Sequence, residues 1–281
     1  MYGLLCIDDI SVVGHSLFNN FRLALYNYFG KNNIKDINNA ADLHDITHLI
    51  IVDEHHIPCV AIWKNDTFIN ELNTRNIKTV VFNFEKIFSS SFPWNTDHQR
   101  KLETIKNLIQ FVSDIDDAAA LKQITINKQY LSKDTCLEVS EIKKLNRILF
   151  IGQMNEYYPT RRYVLDCASR SGLPVDIIIT DRKFTYKEFL LKLNQYKFIL
   201  NPLGTGRFLN LRFYEALRLG CIPIQQITSE MVPWYPELTQ SINFIDFSEI
   251  TEDTLAQPIT CTEFYLEDYF SMIKLNQHFK H

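Results

Sequence analysis

The stretch Asn201–Gln226, NPLGTGRFLNLRFYEALRLGCIPIQQ, limits the possible folds more than any other part of the chain. Before it, Tyr196–Leu200 is a short apolar run of the kind a buried strand needs. Pro202 and the Gly204-Thr205-Gly206 loop end that strand. After the loop, Leu211, Tyr214, Ala216, Leu217 and Leu219 recur at helical spacing, and Gly220 stops the helix ahead of a second strand at Cys221–Ile224. Strand, glycine loop, helix and strand in that order form an α/β unit with a loop whose amides can approach an anion.

The same alternation recurs along the chain. The first half is expected to hold strands at Tyr2–Ile7, His48–Val52, Lys78–Phe84 and Leu108–Val112, with helices at Ser16–Phe29, Thr67–Arg75, Asp97–Ile105 and Asp116–Leu121. From Asn127 to Lys144 the pattern weakens into a polar stretch that reads as a linker. A second cycle follows, with strands at Ile148–Ile151, Val175–Ile179 and Tyr196–Leu200 and helices at Thr160–Ser171 and Thr185–Gln195. The expected fold class is therefore α/β, with two Rossmann-like doubly wound domains facing across a cleft. Residues 1–126 would form the first domain, 127–146 the linker and 147–261 the second. Residues 262–281 would be a C-terminal helix returning to the first domain.

Composition fits folded domains. Hydrophobic residues make up 46% and charged residues 22%, with eight Gly and nine Pro. The first residues, MYGLLCIDDISVVGH, read as a strand because Asp8 and Asp9 interrupt the apolar run and no basic leader precedes it. No apolar run reaches the roughly 18 to 20 residues of a membrane span. Six scattered cysteines without a Cys-x-x-Cys spacing suggest reduced thiols, hence a cytoplasmic protein. A net charge of −4 excludes a global basic signature for nucleic acid or anionic membrane, although Arg161-Arg162 and Arg182-Lys183 are locally basic.

The residues around the glycine loop point to phosphate chemistry. Arg207 and Arg212 bring guanidinium forks to a loop and a helix start that already favour negative charge. Glu215 lies one helical turn after Arg212, where a carboxylate can accept ribose hydroxyls. Earlier in the second half, Gly152 follows a strand, and Thr160 with Arg161 and Arg162 opens the next helix. Thr160 would be its N-cap, and two arginines in the first turn suit the helix dipole poorly unless an anion binds there.

The run of glycine loop, Arg212, Glu215-Ala216-Leu217 and Gly220-Cys221-Ile222-Pro223 resembles the donor-binding segment of GT-B glycosyltransferases, the exostosin-like group especially. The resemblance covers under a tenth of the chain. It implies that Glu215 binds the ribose of a nucleotide sugar, expected to be a UDP-sugar, and that Arg212 and the loop hold its diphosphate. The donor-side set is then Gly152, Arg161, Arg162, Gly204, Thr205, Gly206, Arg207, Asn210, Arg212 and Glu215. No permanently bound cofactor and no metal are expected.

In such a chemistry the first half supplies the acceptor site and a base that takes the proton of the attacking hydroxyl. The segment from His48 to Trp94 is similar in layout to the N-terminal domain of the T-even bacteriophage DNA β-glucosyltransferases, in which an acid at a strand end is the base. Glu85 is the counterpart here, with Asp53 and His55 as further candidates. His55-His56 offers no metal spacing, and Phe88, Phe92 and Trp94 could form an acceptor platform or core.

The acceptor is expected to be a hydroxymethylated pyrimidine in phage-type DNA or a glycan, and the transfer to be metal-independent and inverting. Two alternatives stand beside this. Asp114 and Asp116 have the Asp-x-Asp spacing of metal-dependent GT-A glycosyltransferases, and a nucleotide-binding module without turnover would also fit.

Overall fold

The computed structural model describes residues 1–6, 16–53, 64–84, 86–88, 94–122, 127–135, 142–156, 158–180, 184–235, 238, 244–256 and 263–279. The first half contains β1 (Tyr2–Leu5), α1 (Ser16–Phe29), β2 (Ile34–Asp36), β3 (His48–Asp53), α2 (Asp66–Thr74), β4 (Lys78–Asn83), α3 (Trp94–Leu102), β5 (Leu108–Phe111) and α4 (Ile115–Ala120). The second contains β6 (Leu145–Gly152), α5 (Pro159–Arg170), β7 (Val175–Ile179), α6 (Tyr186–Asn194), β8 (Tyr196–Asn201), α7 (Leu211–Arg218), β9 (Ile222–Gln225), β10 (Ile245–Asp246), α8 (Glu252–Ala256) and α9 (Leu266–Met272).

Each half is one five-stranded parallel sheet. The orders are β2-β1-β3-β4-β5 and β10-β9-β8-β6-β7. Counted within its own half, each is the doubly wound order 2-1-3-4-5, with a reversal between the first and third strands. Helices cover both faces, so the strands bury alternate residues on opposite sides and read as continuous apolar runs. In the first sheet, α1 packs Phe18, Phe21 and Leu25 on one face with Ile50, Val80 and Phe82, while α2 packs Phe68, Ile69 and Leu72 on the other with Leu49, Ile51 and Val81. In the second, α5 places Val164, Leu165 and Ala168 against Phe150, Phe198 and Ile224, and α6 covers the other face with Phe189, Leu190 and Leu193. The architecture is α/β, consistent with two Rossmann-like units.

The edge strands β2 and β10 were not anticipated from the sequence. They are three and two residues long, too short to display a period. Among the described residues, no helix is long and apolar enough to cross a membrane.

The two halves share one apolar core. Phe208, Leu209, Phe213, Tyr214 and Leu217 of the second half belong to the same buried cluster as Phe111, Val112, Ile115 and Tyr130 of the first. Tyr130 and Tyr214 meet edge to face with centroids 4.8 Å apart. Each such side chain contributes about 1.5–3 kcal/mol of burial, so the junction is a packed interface. The chain then returns to the first half, where Leu266, Tyr269 and Phe270 of α9 join that cluster and the Phe270 ring lies 5.7 Å from Phe21.

The polar stretch after β5 crosses this junction buried. Asn127, Lys128, Gln129 and Ser132 are all less than a tenth exposed. Their polar atoms find buried partners: Asn127 Nδ2 donates to the Asn83 carbonyl at 3.0 Å, and Ser132 Oγ to the Glu267 carboxylate at 2.6 Å.

Candidate functional site

In open parallel sheets a crevice forms at the carboxyl ends of the strands where the strand order reverses. In the second half that point lies between β6 and β8, which end at Gly152 and Asn201. Several residues singled out in the sequence meet there. A Cβ on Gly152 would lie 2.8 Å from Arg212 Nη2, so the missing side chain lets the guanidinium rest against the strand end. A Cβ on Gly204 would lie 3.7 Å from Arg161 Nη2. Arg161 is 8% exposed, donates from Nη1 to the Gln153 carbonyl at 3.0 Å, and stacks its guanidinium 3.8 Å from the Tyr158 ring centre.

Arg212 is the most unusual group in this cluster. The residue as a whole is partly exposed, but its Nε and Nη1 atoms are buried and neither has a hydrogen-bond partner. Burial, then the neighbouring charge of Arg161, lowers its pKa to about 10, with Glu215 pulling the other way. It remains a cation at neutral pH. Unpaired guanidinium nitrogens in a protein interior are costly, and two arginines repelling one another add to that cost. An anion between them removes both penalties.

Glu215, one turn on, is 2% exposed and accepts a hydrogen bond from Tyr186 Oη at 2.7 Å. Burial pushes its carboxyl up to about 7, against the lowering effects of the Tyr186 bond and Arg212. Tyr186 was missed in the sequence. The signal was present, since Thr185-x-x-Glu188 is a capping box that starts α6 and sets Tyr186 at its first position.

The helix starts beside this cluster receive no side-chain cap from their own N-cap residues. The N-cap of α5 is Tyr158, not Thr160; it makes no side-chain cap, and the first turn has no acid. Pro159 takes the first helical position and Thr160 the second, and the Thr160 hydroxyl donates to the Leu203 carbonyl at 3.5 Å. Asn210 caps α7 without a side-chain bond, and its buried Oδ1 is unpartnered.

Other predicted residues are placed differently. Arg162 is exposed, because one helical step turns it about 100° from Arg161. Arg207 faces the junction between the halves, where it ion-pairs with Asp116 and lies 3.5 Å from Glu230. Gly206 is buried and Thr205 half-buried in the same loop.

Asp114 and Asp116 already have partners. Asp114, fully buried, caps α4 by accepting the Asp116 and Asp117 amides, and accepts the Arg207 amide at 2.6 Å. Lys86 lies 3.4 Å from Asp114 and 2.8 Å from Asp116. These contacts, with the Arg207 pair, hold Asp116 below the usual carboxylate range despite some desolvation. Among the described residues no group of three His, Cys, Asp or Glu side chains is arranged to hold a metal.

Of the base candidates, Asp53 ends β3 beside the strand-order reversal of the first sheet. Glu85 and His55 lie outside the described residues, as do Phe92 and Arg182-Lys183. The residue after Glu85, Lys86, reaches the acids that hold Arg207, so this part of the first half adjoins the glycine loop. Phe88 is 41% exposed. The chain matches no protein-family model, and no curated protein matches it.

Proposed function

We propose that the protein is a GT-B-type glycosyltransferase that takes a sugar from a nucleoside diphosphate sugar and passes it to an acceptor hydroxyl. The observation that carries this reading is Arg212, a buried guanidinium with two unpartnered nitrogens at the strand-order reversal, with Arg161 and Glu215 beside it. Its charge calls for a compact anion. A diphosphate supplies two such charges, and its nucleoside carries a diol that a carboxylate one helical turn away can accept.

In this mechanism Arg161 and Arg212, at the starts of α5 and α7, neutralise the diphosphate as its bond to the sugar lengthens. Glu215, with one oxygen held by Tyr186, orients the ribose through the other. The cationic side chains do this without a metal. A carboxylate or imidazole of the first half, with Glu85 foremost and then Asp53 or His55, takes the acceptor proton in an inverting displacement. The acceptor is a hydroxymethylated pyrimidine in DNA, flipped out of its stack, or a glycan hydroxyl. UDP-sugars are the first donors to try.

The test is incubation with a panel of nucleotide sugars and with hydroxymethylated DNA or oligosaccharides, read by product mass. A mass increase of one sugar on an acceptor supports the proposal. Nucleotide binding without transfer to any acceptor would make the protein a non-catalytic nucleotide-binding module instead.

A further inference from the structure

The glycine loop of the second half is pinned by residues of the first half and of the segment that joins them. Asp114 accepts the Arg207 amide at 2.6 Å through one oxygen and the Asp116 and Asp117 amides at 2.9 and 3.2 Å through the other. Gly206 comes so close that a Cβ on it would stand 2.5 Å from Asp114 Oδ2 and 2.7 Å from the Phe208 ring. Four residues after Arg207 helix α7 begins, and there Gln129 Oε1 accepts the Leu211 amide at 2.9 Å. Two amides of the loop and helix start are thus committed to the opposite side of the junction. A loop held at both places presents one geometry to whatever lies against Gly204 and Arg161.

We infer that Asp114 is a positioning residue for the donor site, fixing the glycine loop from across the domain junction so that nucleoside diphosphate affinity depends on contact between the two halves. The inference rests on the reading above that the second half binds a nucleoside diphosphate. Asp114 touches no part of that ligand; it acts through the Arg207 amide and the close approach of Gly206.

Two variants break the contact from opposite sides. Asp114→Asn keeps one amide-accepting oxygen for the helix cap, at which Asn and Asp are equivalent, but replaces the oxygen facing Arg207 with an NH₂ group. Gly206→Ala leaves the carboxylate intact and pushes the loop off it. Hydrogen exchange without nucleotide should show the Arg207 amide protected in the native protein and exchanging at least roughly tenfold faster in both variants, given the cost of an unpaired buried amide. Protection in β8 and β9 should not change. Titration with UDP and ADP should show affinity weakened by roughly tenfold in each variant, and by little more in the double variant, because both remove one contact.

Unchanged protection at Arg207 would overturn the inference. So would lost protection with undiminished nucleotide affinity. If the native protein binds neither nucleotide while Arg207 exchange responds as expected, the functional reading fails and the proposed role in donor binding fails with it.

Discussion

Replacing Arg212 with methionine should make the protein more stable and destroy the proposed nucleotide site at once. The arginine's Nε and Nη1 atoms are buried although the residue is partly exposed, and its pKa falls from 12.5 to about 10, which corresponds to at most about 3 kcal/mol of penalty on the charged form. Nε and Nη1 form no hydrogen bonds that would be lost. Methionine fills a similar slender volume beside Phe150 and Phe189, whose ring centres lie 5.7 and 5.9 Å from the guanidinium carbon. The attraction to Glu215 disappears, so the comparison belongs at pH 6, where a carboxyl with a pKa of about 7 is mostly neutral. The net gain should be about 1–2 kcal/mol, or roughly 2–4 °C in the unfolding midpoint of a chain this size. Nucleoside diphosphate affinity should fall by roughly a hundredfold, reflecting loss of charge-assisted bonds worth about 1.5–3 kcal/mol each. Thermal unfolding at pH 6 with and without UDP reads both effects. A midpoint lowered by several degrees, with the UDP-induced shift retained, would refute the argument that Arg212 is held in place for an anion.

Other expected outcomes follow from the same site. The folded-state pKa of Glu215, about 7 against an ordinary 4.5, means that the folded protein holds a proton the unfolded chain releases between those values. Its favourable contribution is full below about pH 4.5 and declines by up to about 3 kcal/mol as pH rises to about 7. Asp117, raised to about 6, adds a loss of the same sign. Glu215→Gln should flatten part of that decline in pH-dependent denaturation while weakening nucleotide binding by roughly tenfold; an unaltered pH profile would reject the buried-carboxyl account. Gly152→Ala should displace the Arg212 guanidinium, because the new Cβ would meet Nη2 at 2.8 Å. Its nucleotide affinity should drop while the unfolding midpoint moves by only a few degrees, as calorimetry would show. Glu85→Gln should leave nucleotide affinity intact and slow transfer by roughly a hundredfold or more. Near-normal turnover would assign the base to Asp53 or His55.

Much of the fold was legible because buried parallel strands and amphipathic helices differ in period and length. The expected bounds of α1 and β7 coincide with the structure, and most other elements shift by three residues or fewer. What escaped the sequence depends on contacts between distant residues. The segment from Asn127 to Ser132 reads as linker because it is polar, yet it is buried because strand-end carbonyls and Glu267 meet its polar groups. The glycine loop was visible in Gly204 and Gly206. Its attachment was not, since Asp114 and Arg207 stand 93 positions apart. Helix phase separates the exposed Arg162 from the buried Arg161 and could have been read from the sequence, whereas the turning of Arg207 toward Asp116 and Glu230 could not.

The central claim concerns the ligand class taken at the reversal between β6 and β8. The most direct measurement is calorimetric titration of the native protein and of Arg212→Met with UDP, ADP and a UDP-sugar at neutral pH. The account predicts saturable one-to-one binding of at least one of these ligands to the native protein, weakened roughly a hundredfold in the variant. A folded native protein that binds none of them, or a variant that binds as tightly as the native protein, would contradict it.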